Sequence, residues 1–275
     1  MQHQILAIDL DGTLLDGHVL QAPHRDAVRH AHDAGFKIII ATARWRQMAE
    51  SIQKEIGCSD LIIACNGAQL FDPKTGLDLI DERLPADFAQ ALAGAVSGLS
   101  GFSSATMDDE TLIYSDQGPP HIEWPDALRR VDALPSFQRQ MPRIMTVQGD
   151  EMVAAARLLL TSPRHQSILA LDSIGPGGKI VMTFTAKAAN KGHCLQQACA
   201  ALNLTTESVI AFGDSEGDLD LFAAAGLSVA MGQASERVRA AADWVTHANT
   251  EHGIKTFLDR YFKGEIIGNQ STQSH

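Results

Sequence analysis

The sequence predicts a doubly wound α/β core interrupted by an inserted α+β domain, and three observations carry that expectation. Short apolar runs alternate with amphipathic segments from Ile5 to Cys65, the alternation breaks between about Leu84 and Phe184, and it resumes after Lys191. Strands that read as unbroken apolar runs are covered on both faces, as in a parallel sheet between two helix layers. The expected boundaries are residues 1–83 and 185–263 for the discontinuous core and 84–184 for the insert. Residues 264–275 form a polar tail, with little to bury, that is expected to be disordered.

Taken in order, the first half of the core reads as strand 5–9, helix 22–34, strand 37–41 (Lys37-Ile38-Ile39-Ile40-Ala41), helix 45–56 and strand 61–65. Gln69-Leu70-Phe71 and Leu77-Asp78-Leu79-Ile80 flank Asp72-Pro73-Lys74-Thr75-Gly76, a turn composition that predicts a hairpin. The insert holds most of the prolines, with short strands near 111–115, 143–148, 167–172 and 179–184 and helical patterns near 86–97, 124–132 and 150–162. The second half of the core reads as helix 191–202, strand 208–212, helix 217–225, strand 227–231, helix 234–241 and a last helix near 252–262.

Bulk composition removes several function classes. The chain has 275 residues, 45% of them hydrophobic, which is ample for a packed core. Its 22 basic and 33 acidic side chains give a formal charge of −11, so the surface repels nucleic acid and anionic membranes, and any phosphate must be held by a local site. Met1-Gln2-His3-Gln4 lacks a basic leader region and no apolar run approaches the ~18 residues of a membrane span, so a cytoplasmic protein without a membrane partner is expected. Cys58, Cys65, Cys194 and Cys199 have neither C-x-x-C spacing nor a disulfide framework and read as reduced thiols. The histidines show no paired ligand spacing, and Gly175-Pro176-Gly177-Gly178-Lys179 is followed by Ile180 where a phosphate loop needs Ser or Thr, so it reads as a hairpin turn.

Ligands of open α/β sheets bind outside the carboxyl ends of the strands, so the residues just after each strand carry the chemistry. Ile5-Leu6-Ala7-Ile8 runs straight into Asp9-Leu10-Asp11-Gly12-Thr13. Two carboxylates two residues apart at a strand exit share a side, and Gly12 lets the backbone turn sharply toward a ligand. The second strand ends in Thr42-Ala43-Arg44, strand 208–212 ends in Gly213-Asp214-Ser215-Glu216-Gly217-Asp218, and Lys191 opens a helix where the core resumes. Each alone has a plain structural reading: a D-x-D is commonly a turn pair, a G-D-S a helix cap. Together they make a hydroxyl, a cation and four carboxylates.

This constellation resembles the haloacid dehalogenase superfamily, and within it the Cof-type phosphatases with an inserted α+β cap of the C2 type, over nearly the whole chain. The resemblance implies a Rossmann-like core and two-step phosphoryl transfer through an aspartyl-phosphate. Asp9 matches the nucleophile, Asp11 the general acid and base, Thr42 the hydroxyl that holds a phosphoryl oxygen and Lys191 the cation that neutralises it. Asp214 matches the metal-binding carboxylate and Asp218 its partner, so the implied metal set is Asp9, Asp11, Asp214 and Asp218. Leu10, Gly12, Thr42, Ala43, Arg44 and Lys191 are the implied substrate contacts, the first two through their backbone. Mg2+ is the implied cofactor: several acids and a phosphate dianion repel one another, and an all-oxygen site with retained waters suits that ion.

The chain departs from the family pattern in places. Ala43 and Gly217 stand where Gly and Asn are usual, the latter removing an amide near the nucleophile and metal loops. Thr183, Ala186, Ala188 and Gln233 replace Glu, Pro, Gly and Asn. None of these removes a charged catalytic group. The expected function is hydrolysis of small phosphomonoesters, sugar phosphates first, with flavin mononucleotide or pyridoxal phosphate as alternatives, by a monomer or homodimer. The cap selects the leaving group, and the loop from Asp108 to Trp124, with Tyr114 and His121, is either a substrate contact or plain cap surface. The rival readings are a phosphomutase using the same intermediate and a non-catalytic phosphate-binding regulatory module.

Overall fold

The computed structural model describes residues 3–108, 110–116, 128–137, 140–175 and 178–266. The chain begins with β1 (Ile5–Ile8), the small hairpin β2 (Leu15–Asp16) and β3 (Val19–Leu20), α1 (Ala22–Asp33), β4 (Lys37–Ala41), α2 (Arg46–Ile56), β5 (Leu61–Ala64), β6 (Gln69–Asp72) and β7 (Leu77–Asp81). There follow α3 (Ala86–Val96), β8 (Phe102–Thr106), β9 (Thr111–Ser115), β10 (Leu128–Arg130), β11 (Ile144–Gln148), α4 (Asp150–Leu160), β12 (Ile168–Ile174) and β13 (Ile180–Ala186). The last stretch is α5 (Lys191–Ala201), β14 (Val209–Gly213), α6 (Leu219–Ala224), β15 (Leu227–Ala230), α7 (Glu236–Ala241), β16 (Trp244–Val245) and α8 (Gly253–Phe262). Contacts divide the chain into two compact units, Met1–Ile80 with Asn190–His275, and Asp81–Ala189.

The first unit is built on an eight-stranded sheet in the order β16-β15-β14-β1-β4-β5-β6-β7. Strands β16 through β5 run parallel, and β6 turns back antiparallel to β5. β1 lies at the centre, with Ile8 opposite Phe212 on one side and Ile40 on the other. The unbroken apolar strands are explained by their alternation: Ile5, Ala7, Val209 and Ala211 pack on Leu195, Ala198 and Leu221 of α5 and α6, whereas Phe212, facing the other way, meets Phe257 of α8 edge to face with ring centroids 5.2 Å apart. Both faces are therefore filled. Helix starts and stops follow local chemistry: Pro23 sits in the first turn of α1, where its missing N–H costs nothing, and Gly57 takes φ +83° to end α2.

The second unit is a six-stranded sheet in the order β10-β9-β8-β11-β13-β12. Phe88 and Leu92 of α3 and Met152 and Ala156 of α4 bury against Ala105, Met145, Val147 and Phe184 of the sheet. The Arg143 side chain is 2% exposed and is compensated by Asp81 at 2.7 Å and Asp108 at 3.1 Å. β8 is a strand that sequence patterning did not single out: Phe-Ser-Ser-Ala-Thr is only weakly alternating, and pairing with β9 and β11 makes it a strand. The helix expected over 124–132 is corrected for its described part, since Leu128–Arg130 pairs parallel with Thr111–Ile113, tertiary pairing overriding local periodicity. Residues 117–127, with His121 and Trp124, lie outside the described residues, and Tyr114 donates its hydroxyl to the Leu99 carbonyl at 3.2 Å. Pro176 and Gly177 also lie outside them, but the flanking β12 and β13 pair antiparallel as a hairpin. Of the expected tail, residues 264–266 are described, with Ile266 buried, and residues 267–275 are not.

Phe212 of β14 is fully buried, lies opposite Ile8 of β1 and meets Phe257 of α8. Phe212→Ala is expected to destabilise the first unit by about 3–5 kcal/mol, read as a lower urea midpoint with unchanged slope; a shift worth less than ~1 kcal/mol would mean the layer is not close-packed.

Candidate active site

The turn after β1 is where the backbone first leaves the regular geometry of the sheet. Gly12 takes φ +77°, and a Cβ there would collide with the Asp214 carboxylate, so two remote segments meet at a spot only glycine can occupy. Thr13 donates its hydroxyl to Asp214 Oδ1 at 3.1 Å, and Gln233 donates Nε2 to the Gly12 carbonyl at 2.5 Å. Asn249 donates to the Leu15 carbonyl at 2.9 Å, and its own N–H donates to Gln233 Oε1 at 3.1 Å. The turn carrying Asp9 and Asp11 is thus tied to β14's exit loop and to the segments after β15 and β16.

Parallel pairing puts the ends of β1 and β14 side by side, and Asn190 caps α5 by accepting from the His193 N–H at 2.7 Å, which starts that helix at Lys191. The Lys191 ammonium, 2% exposed, donates to Asp9 Oδ1 at 2.6 Å and Asp218 Oδ1 at 2.7 Å. The other oxygen of Asp218 accepts from the Asp214 N–H at 3.1 Å and from the N–H and hydroxyl of Ser215, both at 3.0 Å. Asp218 therefore fixes the whole exit loop of β14, and its side chain is fully buried.

One ammonium faces three carboxylates. Burial pushes the Asp9 carboxyl well above the ordinary carboxylate range, and the Asp218 charge adds to this against the opposing pull of Lys191. Burial, with Asp218 again, raises Asp214 to about 6, while Thr13 and Lys191 act the other way. For Lys191, burial disfavours the charge, but Asp218 and Asp9 outweigh it and hold the ammonium above the usual lysine value. Carboxylate oxygens of Asp9, Asp214 and Asp218 lie within 4.8 Å of one another. An all-oxygen set with an unbalanced negative charge fits a hard divalent cation such as Mg2+. Asp9 and Asp214 each keep an oxygen free of the bonds just described, whereas both Asp218 oxygens are engaged, so Asp218 fits best as the organiser of the loop.

The remaining residues named from sequence fall around this centre. Thr42 is fully buried at the end of β4, its hydroxyl accepting from the Arg44 N–H at 3.1 Å. Ala43 is exposed and does not take a positive φ, so the methyl group that replaces glycine carries no backbone strain. The Leu10 side chain is fully buried in the core, leaving only its backbone for a ligand. Asp11 points elsewhere: its carboxylate forms a two-pronged pair with Arg44, one bond at 2.8 Å, and it does not belong to the three-carboxylate cluster. Sequence reasoning passed over Thr13, Ser215, Asn249 and Asn66. Thr13 and Ser215 sat inside quoted motifs, but Asn66 and Asn249 carry no local signal and are brought in by the fold alone.

Lys191→Met should leave the buried Asp9 and Asp218 carboxyl groups without their shared partner and cost about 3–5 kcal/mol, measured by urea denaturation; a loss below ~1 kcal/mol would show that the ammonium does not stabilise this cluster.

Known proteins resemble this chain over nearly its whole length. Residues 6–258 match the family described as haloacid dehalogenase-like hydrolase. The chain is 28% identical over 291 residues to the 5-amino-6-(5-phospho-D-ribitylamino)uracil phosphatase YwtE of Bacillus subtilis (strain 168), covering 94% of this chain and 98% of that one. It is 26% identical over 275 residues to the pyridoxal phosphate phosphatase YbhA of Escherichia coli (strain K12), covering 94% and 98%. In fold it is similar to a haloacid dehalogenase-like hydrolase from Bacteroides thetaiotaomicron, with a TM-score of 0.81, 20% identity and coverage of 94% and 100%. With the family match spanning both halves of the core and the insert between them, the chain belongs to the haloacid dehalogenase-like hydrolases.

Proposed function

We propose that this hydrolase is a magnesium-dependent phosphatase of small phosphomonoesters that works through an aspartyl-phosphate on Asp9. The observation that carries the reading is the buried Lys191 ammonium bridging Asp9 and Asp218 beside Asp214. A carboxylate at a strand end beside a fixed cation is placed to attack a phosphoryl group once a divalent cation offsets the surplus negative charge of the acid cluster.

In the first step an Asp9 oxygen attacks phosphorus and the bond to the leaving oxygen breaks, with a proton from Asp11 going to that oxygen. In the second, Asp11 takes a proton from water as the water oxygen attacks phosphorus, which frees Asp9 and orthophosphate. Asp11 must first turn away from Arg44, a small cost for a carboxylate that is 53% exposed in the resting pair. Thr42 and Lys191 hold phosphoryl oxygens during both steps. Asp9 and Asp214 are the residues suited to bind the magnesium ion, which when present would offset charge on the transferring oxygens.

For the substrate class, we propose phosphorylated sugars and sugar alcohols ahead of flavin and pyridoxal phosphates. The relatives' names, one a phosphoribityl compound and the other pyridoxal phosphate, support that range without choosing within it. No helix among the described residues is long and apolar enough to cross a membrane.

The deciding assay is phosphate release from a panel of sugar phosphates, phosphoribityl compounds, flavin mononucleotide, pyridoxal phosphate and nucleotides, with and without magnesium. Metal-dependent release is expected, and Asp9→Asn, nearly isosteric, should lose at least about 10³-fold in kcat while keeping its thermal midpoint; release undiminished in that variant would refute the nucleophile. Asp214→Ala should shift the magnesium concentration for half-maximal activity upward by tenfold or more, and an unchanged titration would remove Asp214 from the metal.

A further inference from the structure

The turn that leaves β5 adopts a conformation that an ordinary connection has no reason to keep. Cys65, Asn66 and Gly67 take φ values of +50°, +57° and +92° in succession, so two side-chain-bearing residues stand in the left-handed region together. Such strain persists only where the surroundings enforce it, and it concentrates at functional sites. Here the enforcing groups are the site's own segments. The Cys65 N–H donates to the Arg44 carbonyl at 2.9 Å and the Asn66 N–H to the Thr42 carbonyl at 3.0 Å. Gly67 lies so close to the Asn190 backbone that a Cβ would overlap it, which seats the turn against the start of α5 at Lys191.

This geometry delivers one polar side chain into the middle of the three segments. Asn66 is 4% exposed, and its Oδ1 lies 3.7 Å from where a Cβ on Gly217 would stand, beside the loop of Asp214 and Asp218. Among the described residues no group is hydrogen-bonded to its amide, whose polar atoms are not sealed from solvent and so remain open to a ligand. The nearby cluster already holds three carboxylates against one ammonium. A neutral donor binds an oxyanion there without adding to the charge, and Gly217, lacking a side chain, leaves the amide room to do so.

We infer that Asn66 is a further substrate-binding residue, whose side-chain Nδ2 donates to an oxygen of the phosphoryl group. The amide that Gly217 does not supply thus comes from the strained turn after β5. The inference rests on the phosphatase reading for the identity of the ligand, but its test does not depend on turnover.

The probe is orthovanadate, a phosphate mimic, titrated calorimetrically into the full-length protein with magnesium present. Asn66→Gly retains the left-handed backbone and removes only the amide, and Asn66→Asp keeps the shape but replaces the donor with a charge. Both should melt within a few degrees of the wild type. Asn66→Gly should bind vanadate about tenfold more weakly and Asn66→Asp about a hundredfold. Equal vanadate affinity in wild type and Asn66→Gly, with intact melting, overturns the inference and leaves the phosphatase reading standing. Vanadate binding that weakens as stated in a protein releasing no phosphate from any ester upholds Asn66 and overturns the phosphatase reading instead. Should Asn66→Gly fail to fold, Asn66→Asp decides alone, since unchanged affinity there is incompatible with a donor to an oxyanion.

Discussion

An ammonium buried between two carboxylates is the constraint on which the rest of this site depends. Lys191 cannot be 2% exposed and charged without Asp9 and Asp218, and at that depth both carboxyl groups rely on Lys191 as their shared hydrogen-bond donor. The three groups come from three different segments, so their mutual need fixes how β1, β14 and α5 converge. Asp218 extends the constraint by gathering the Asp214 and Ser215 N–H groups on its second oxygen, which sets the direction of the Asp214 carboxylate. The balance is left one-sided on purpose: burial and repulsion keep Asp9 and Asp214 poorly disposed to carry negative charge unaided, and a cation relieves both.

The sheet supplies the precision that such a cluster requires. β1 is central and paired on both sides, and the turn that follows it is held by Thr13, Gln233 and Asn249 through bonds of 3.1, 2.5 and 2.9 Å. By contrast Asp11, the residue assigned to move protons, sits exposed on an arginine it can leave. On the proposed mechanism the rigid groups would receive the phosphoryl and the exposed one would handle the proton.

Much of this was legible in the sequence because the chemistry is concentrated in short motifs at strand ends. Asp9, Thr42, Asp214 and Asp218 could be named from apolar runs followed by polar residues, since a buried parallel sheet writes itself as continuous hydrophobic stretches, and Lys191 from its place at the start of a helix together with the family resemblance. Other features depend on contacts that no local pattern encodes. β8 and β10 are strands because of their neighbours, and Leu128–Arg130 alone gives no reason to prefer that state over a helix. Asn66 and Asn249 look like ordinary loop residues until the turn geometry brings Asn66 beside Gly217 and the C-terminal segment brings Asn249 to the Leu15 carbonyl. The pairing of Asp11 with Arg44, and so its separation from the other carboxylates, was equally invisible, because identical residue types at a strand exit can point to different partners.

The order of the strands has a consequence for how the protein comes into being. β1 is made first, yet one of its two flanks is filled by β14, and the lysine that steadies Asp9 lies 182 residues downstream. At ordinary translation speeds that interval lasts on the order of ten to forty seconds. During it Asp9 sits on a strand with one open edge and without the Lys191 counter-charge. Closing that edge needs β14 and completing the charge triad needs Asp218 as well as Lys191, so the cluster around Asp9 assembles late in synthesis.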